Sequence, residues 1–360
     1  MNYYFHVPFC ASKCGYCAFY SLPGVGREVV DAYLDRLERT FVPCGRAETL
    51  YIGGGTPTFL TAEQLERFLK LLRSRIEFEE GAEISCEANP ETLTPEKVAL
   101  LRENITRLSM GVQSFDASVR NNIGRKCSDE ALENAISLVR KAAFPHWNMD
   151  LIFALPGQSD EAFFAGAARA LSCGADHISC YALTAEENAA LKLPEDDERA
   201  AELMPAIARF LEEQGVYRYE ISNFARPGAE CRHNVNVWRG GLLSGHGPGA
   251  CGFDGVDRWS NRTLEMWLEG APPERDVISK KERLNEIFAV NLRTAAGWTP
   301  GLWAKVPGAD GWQERLKIIR TVASSMREDW FIISEGRIAL TGDGMMFWNS
   351  VAGEIFDYGT

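Results

Sequence analysis

Cys10-Ala11-Ser12-Lys13-Cys14-Gly15-Tyr16-Cys17 follows directly on the strand-like run Tyr3-Tyr4-Phe5-His6-Val7 and spaces three thiols as C-x-x-x-C-x-x-C. Gly15 lets so short a loop bend until its sulfurs face one point, which marks the three cysteines as ligands. A structural zinc takes four protein ligands, and neither His6 on the preceding strand nor the apolar Phe19 supplies the fourth. Three thiolates suit a cubane iron–sulfur cluster with one iron left open to a non-protein ligand. The bland alternative is three buried thiols packing as small hydrophobes.

Outward from this loop the chain alternates strand-like runs with amphipathic helices. Residues 28–39 carry Val29, Val30, Tyr33, Leu34 and Leu37 at helical spacing. Residues 49–52 read as a buried strand, and Thr61 with Gln64 forms a capping box opening the next helix. A strand over 83–87 and a helix opened by Thr94-Pro95 follow. Next come a strand over 107–113, a helix over 128–142, a strand over 148–153, a helix over 159–171 and a strand over 177–181. Six such units predict an α/β fold, a parallel sheet curled into a partial (β/α)6 TIM-like barrel. Barrels of this kind place their sites at the carboxyl ends of the strands. Those ends carry the cysteine loop, Gly53-Gly54-Gly55, Glu87, Gln113 and Asp150. Three consecutive glycines let backbone approach a ligand closely, although polar and glycine residues also simply terminate strands.

Composition bounds the function. At 360 residues the chain exceeds one ordinary core, so a large unit plus a smaller one is expected. A net charge of -12 argues against broad binding to nucleic acid or an anionic membrane. No apolar run is long enough to span a bilayer, and no basic-then-apolar leader precedes the loop. The clustering of three of the ten cysteines favours a reducing, cytoplasmic setting. The other seven are scattered singly and read mostly as core filler.

The C-x-x-x-C-x-x-C motif, with an aromatic residue before its last cysteine, resembles the signature of the radical S-adenosylmethionine (SAM) superfamily. The words His6-Val7-Pro8-Phe9-Cys10 and Gly53-Gly54-Gly55-Thr56-Pro57 are similar to its coproporphyrinogen III oxidase-like branch, which includes the HemN and HemW types. The likeness runs over nearly the whole chain and implies a radical SAM barrel holding a [4Fe-4S] cluster on Cys10, Cys14 and Cys17. SAM would bind the open iron, and a reduced cluster would cleave it to a 5′-deoxyadenosyl radical, chemistry the cofactor carries while the barrel positions and shields it. No protein acid or base is identified as catalytic. The resemblance implies SAM contacts at Tyr4, Gly54 and Glu87. Tyr16, Gly55, Thr56, Gln113, Arg125 and Asp150 match a second SAM position of HemN-type enzymes. For Arg125 the alternative is a solvent-exposed arginine at a helix start.

Beyond the sixth strand the sequence predicts a charged loop over 193–199 and a helix over 200–214. His233-Asn234 then matches part of an H-N-x-x-Y segment implicated in heme binding in HemW-type proteins, with Val237 where the tyrosine stands. His233 is therefore a candidate heme ligand, or a histidine that braces the barrel's open side. The glycine-rich segment Gly245-His246-Gly247-Pro248-Gly249 is expected to close over the site, with His246 a weaker ligand candidate. A capping box at Ser279 and Glu282, helices to about 294 and over 313–326, a hairpin over 331–340 and a helix over 344–355 predict a small C-terminal α+β winged-helix-like domain. The expected division is 1–235 for the barrel, 236–278 for a connecting segment and 279–360 for the C-terminal domain.

Oxygen-independent oxidases of this branch add a fourth cysteine two residues after the third and an N-terminal arm. Phe19 and the short lead before Cys10 depart from that pattern and favour the heme-chaperone type. Its implied partners are heme, acceptor proteins and an electron donor. Decarboxylation of a porphyrinogen and radical methyl transfer are the alternatives.

Overall fold

The computed structural model describes residues 1–183 and 197–358; of the charged loop expected over 193–199, residues 193–196 lie outside the described residues, while 197–199 are helix, the first residues of Asp197–Glu213. Strand β1 (Asn2–Val7) runs into the cysteine loop, whose two ends are tied by a short parallel ladder of β2 (Phe9–Cys10) on β3 (Leu22–Pro23). There follow α1 (Arg27–Thr40), β4 (Ala47–Gly54), α2 (Ala62–Arg75), β5 (Phe78–Ala88), α3 (Pro95–Asn104) and β6 (Arg107–Gln113). The helix pair α4 (Ala117–Asn122) and α5 (Asp129–Ala142) leads to β7 (His146–Phe153), α6 (Asp160–Ser172) and β8 (His177–Ala182). Strands β1, β4, β5, β6, β7 and β8 lie side by side in that order, each parallel to the next.

Both edges of this parallel sheet are extended. After α7 (Asp197–Glu213), β9 (Tyr217–Arg218) and β10 (Asn223–Ala225) continue it antiparallel beyond β8. Helix α8 (Arg232–Trp238) then returns the chain to the first strand. There β11 (Leu243–His246) pairs parallel to β1, and β12 (Cys251–Phe253), β13 (Arg258–Ser260) and β14 (Glu274–Asp276) follow antiparallel, with α9 (Leu264–Glu269) between the last two. Among the described residues the sheet ends on β14 at one edge and β9 at the other, so the barrel stays open.

The glycine-rich segment expected to close over the site starts as sheet, with Gly245 and His246 in β11, and 247–249 turn toward β12; Gly245 and Gly247 serve packing. A Cβ on Gly245 would lie 1.9 Å from the Cys251 carbonyl oxygen, and one on Gly247 would lie 2.4 Å from the His6 carbonyl oxygen. His246 is no exposed ligand: its ring stacks on Phe5 at 4.9 Å and meets Phe41 edge-on at 4.7 Å. Burial pushes its pKa down to about 4.

Alternation along β1 divides the molecule into layers. Tyr3, Phe5 and Val7 are fully buried, and Phe5 packs on Phe41 and Phe68 of the helical layer. Tyr4 and His6 alternate onto the concave inner face. Capping follows the sequence signals, with Thr61 and Gln64 closing the box at α2 and Thr94 accepting from Lys97 N–H at α3.

The C-terminal part begins at α10 (Lys280–Asn291), with the capping box of Ser279 and Glu282, and continues through α11 (Pro300–Trp303) and α12 (Trp312–Ser325). A hairpin of β15 (Phe331–Ser334) and β16 (Arg337–Leu340) follows. The single closing helix expected over 344–355 is two, α13 (Gly342–Met346) and α14 (Trp348–Phe356), broken at Phe347. Phe347 stacks on Trp330 at 4.1 Å, a contact that takes it out of both helices. Leu284, Phe288, Trp298, Trp303, Leu316 and Ile355 join a second apolar core separate from the barrel's.

Candidate functional site

The cysteine loop lies at the carboxyl end of β1 and is held from both flanks. Leu22 N–H donates to the Pro8 carbonyl at 2.6 Å and Gly24 N–H to the Cys10 carbonyl at 3.0 Å. Gly15 N–H donates to the Ile123 carbonyl, and Tyr16 packs on the apolar group of Val119, Ile123, Ile152 and Leu155. The loop is thereby fixed to both the first strand and the region of α4.

Each sulfur has a distinct setting. Cys10 Sγ lies 3.5 Å from Thr56 Oγ1, and Asn89 Nδ2 donates to that same oxygen at 2.7 Å. Cys14 Sγ accepts from Arg125 Nη1 at 3.8 Å. Burial pushes the Cys10 and Cys17 thiols up, so ligation must supply the free energy of deprotonation, and loading releases protons. Among the described residues, no three His, Cys, Asp or Glu side chains gather around a single-ion position. Three thiols without a fourth protein donor beside them fit a cluster with one open iron better than a four-coordinate structural zinc.

The glycine run shows why side chains are excluded here. Gly54 has φ +116°, and a Cβ there would lie 2.9 Å from the His6 ring. A Cβ on Gly55 would lie 2.8 Å from the Phe9 carbonyl oxygen and 2.9 Å from Cys10 Sγ. Backbone thus comes directly against the sulfur, a close approach only glycine permits.

Around this run stand the residues the sequence singled out. Glu87 accepts from Tyr51 Oη at 2.8 Å and from Gly54 N–H at 3.1 Å. Burial pushes its carboxyl up to about 7; the Tyr51 bond pulls the other way, and Asp150 adds repulsion. Asp150, opposite Gly111 on β6, accepts from Asn148 Nδ2 at 2.8 Å and Ser109 Oγ at 3.3 Å, and burial raises its pKa too. Gln113 ends β6 at φ +68°, a conformation uncommon for a residue with a side chain. Arg125 is not the exposed arginine of the alternative reading: it is 4% exposed, donates to the Gly111 carbonyl at 2.8 Å and pairs with Glu91 at 3.4 Å. Its Nε, buried, has no partner among the described residues.

Tyr4 and His233 belong to a different level of the barrel. Tyr4 Oη bonds to His6 Nδ1 at 2.9 Å, and His6 Nε2 reaches the Tyr20 carbonyl at 2.8 Å. The Tyr4 ring stacks on Tyr51 at 6.2 Å, and Tyr51 in turn faces His233 at 5.2 Å. His233 lies near the amino ends of the strands, 4% exposed, with Nδ1 2.8 Å from Thr49 Oγ1 and its N–H on Glu83 at 3.0 Å. Burial lowers its pKa to about 3. As folded, its ring is turned to the barrel interior and away from the cysteine loop.

Sequence reasoning missed Tyr51, Asn89 and Glu91. Tyr51 alternates with Gly53 along β4, and Asn89 and Glu91 follow Glu87 at the same strand end, so strand-end position was the available signal.

Comparison with known proteins agrees with this geometry. The profile of the Radical SAM superfamily matches residues 4–165. The "Heme chaperone HemW" of Bacillus subtilis (strain 168) is 32% identical over 377 residues, covering 97% of each chain. That of Lactococcus lactis subsp. lactis (strain IL1403) is 33% identical over 311 residues, 82% of each chain. That of Mycobacterium tuberculosis (strain ATCC 25618 / H37Rv) is 38% identical over 276 residues, 72% of this chain and 70% of that one. The solved coproporphyrinogen III oxidase (HemN) of Escherichia coli superposes with a TM-score of 0.82 at 22% identity, over 99% of this chain and 90% of that one, a likeness of fold. The partial barrel with three thiols at its carboxyl end and this full-length similarity converge: the chain belongs to the HemN/HemW branch of the radical SAM superfamily, within the family of the HemW heme chaperones.

Proposed function

We propose that this protein holds a [4Fe-4S] cluster on Cys10, Cys14 and Cys17, binds SAM beside it, and carries heme to acceptor proteins. The observation that carries this reading is the loop itself. Cys10 docks against Thr56 and the glycine run and Cys14 against Arg125, while Phe19, where an oxidase of the branch has its fourth cysteine, is 69% exposed to solvent. When bound, the cluster and SAM together supply one-electron cleavage of a sulfonium C–S bond.

The chain's own part is to bind and orient. Gly54 and Gly55 bring backbone against the ligand, and Glu87 offers a carboxylate to an ammonium group. Arg125 holds positive charge beside Cys14, and its buried Nε lacks an acceptor among the described residues. Tyr16, Thr56, Gln113 and Asp150 complete the lining, and Tyr4 supports it from below through His6 and Tyr51. His233, bonded to Thr49 and stacked on Tyr51, reads as a brace of the barrel floor. No helix among the described residues is long and apolar enough to cross a membrane.

The test is anaerobic titration of the cluster-reconstituted protein with heme, followed by absorbance. Saturable one-to-one binding, with no conversion of coproporphyrinogen III in a parallel assay, is expected. Turnover of the porphyrinogen without heme binding would instead establish the oxidase alternative.

A further inference from the structure

Cys10 has two buried hydroxyls beside it, brought there by different parts of the chain. Thr56 follows the glycine run at the end of β4. Its N–H donates to the Phe9 carbonyl at 2.8 Å, and the preceding Gly55 N–H donates to the Val7 carbonyl at 2.9 Å. Those bonds clasp the chain on either side of Pro8 and fix Thr56 against the cysteine loop. There it is 1% exposed, with Oγ1 3.5 Å from Cys10 Sγ.

The direction of that contact follows from counting hydrogens. Asn89 Nδ2 donates to Thr56 Oγ1 at 2.7 Å, so the oxygen accepts there and its single hydrogen is left for the sulfur. Asn89 is itself held in place. Its N–H donates to Thr58 Oγ1 at 3.3 Å, and Thr92 Oγ1 donates to its carbonyl at 2.9 Å. The Thr58 and Thr92 hydroxyls meet at 2.6 Å, and Lys97 Nζ donates to both of their carbonyls.

Ser21 approaches from the far end of the loop. The Tyr20 carbonyl accepts from His6 Nε2 at 2.8 Å and Leu22 N–H donates to the Pro8 carbonyl at 2.6 Å, so Ser21 is pinned through both neighbours. It is 7% exposed, and its hydroxyl oxygen has no hydrogen-bond partner among the described residues. A buried hydroxyl left open costs free energy until something completes it. Ser21 stands near enough to Cys10 to favour the thiolate over the thiol, as Thr56 does. A hydrogen bond to a ligating sulfur offsets the negative charge a cluster gains with an electron, and so favours the reduced state.

Resting on the cluster-holding reading above, we propose that Thr56 and Ser21 are positioning residues that donate hydrogen bonds to the Cys10 thiolate and raise the reduction potential of the cluster, with Asn89 setting the direction of the Thr56 hydroxyl. The electron comes from an external one-electron donor; no bond of the protein breaks and no proton leaves either hydroxyl.

The test is a redox titration of the anaerobically reconstituted full chain without SAM, with dithionite as reductant and the paramagnetic resonance signal of the reduced cluster read at each potential. Thr56→Val keeps the side chain's shape and removes its hydroxyl. The reduced fraction at a fixed potential should fall about fivefold, a midpoint shift of about 40 mV to more negative values. Ser21→Ala should shift it in the same direction, and Thr56→Ser, which keeps the hydroxyl, should titrate as wild type. A merely structural role would lower the amount of cluster taken up and leave the potential of the clusters that form unchanged. A wild-type potential in either hydroxyl-free variant strikes that residue from the assignment, and an equal fall in Thr56→Ser overturns the hydroxyl account, both leaving the cluster reading intact. Should Thr56→Val take up no cluster, Ser21→Ala decides alone. Failure of wild type to take up a cluster would remove that reading and the assignment together.

Discussion

At the amino end of the barrel the polar groups are tied mostly to one another, whereas at the carboxyl end they gather around the cysteine loop. At the amino end, Glu83 accepts from the N–H groups of Arg232 and His233, both at 3.0 Å. Thr49 joins Asn2 to His233, Asn236 reaches Asn2 at 3.1 Å, and Arg107 donates to the Ala229 carbonyl. These bonds close on one another. At the carboxyl end lie three thiols, an Arg125 Nε without a partner among the described residues, and the Glu87 carboxyl, whose pKa burial pushes up to about 7. Closed networks rigidify a fold, and open ones mark where a ligand completes the bonding.

The sharpest way to break this contrast is Cys10→Ala. It should abolish the visible absorbance of the cluster after anaerobic reconstitution while leaving the far-ultraviolet circular dichroism intact. A variant that still reconstitutes fully would remove Cys10 from the ligand set.

The opposite end should respond in the opposite way. Glu83→Ala leaves the first N–H groups of α8 without their carboxylate acceptor and should destabilise the protein by about 2–4 kcal/mol. Urea denaturation would read the loss, and the cluster absorbance per folded molecule should not change. A loss of cluster together with little change in stability would mean the two ends are not the separate units described.

The smallest effect concerns pH. An unfolded Glu87 loses its proton near 4.5, whereas the folded one keeps it to about 7. Between those values the unfolded chain binds fewer protons, so stability of the cluster-free protein falls as pH rises and stays lower above 7, by about 3 kcal/mol. Glu87→Gln keeps a partner for Tyr51 and should remove that decline. Denaturation at pH 5 and pH 8 checks it: the variant should gain on wild type at the higher pH, and an equal difference at both would refute the buried-carboxylate account.

Much of the site was legible because its determinants are local. The spacing of Cys10, Cys14 and Cys17, the glycine run and the caps at Thr61, Thr94 and Ser279 each act within a few residues. In isolation Gly245 and Gly247 signal flexibility, and the sequence around His246 therefore predicts a loop. Their reason, contact with the Cys251 and His6 backbones, exists only after β11 has joined β1.

The sequence by itself determined the alternation of strand and helix, the thiol loop, and the level at which Gly54, Glu87, Gln113 and Asp150 would meet, since periodicity and parallel order fix strand ends in common. Tertiary structure alone decided the rest. It buried Arg125 between Glu91 and Gly111, turned His233 onto Thr49 in the barrel floor, and set Thr56 and Asn89 beside Cys10 from the ends of different strands. The physical reason is separation along the chain: Asn2 pairs with Leu243, and no local pattern encodes a register closed over so many residues.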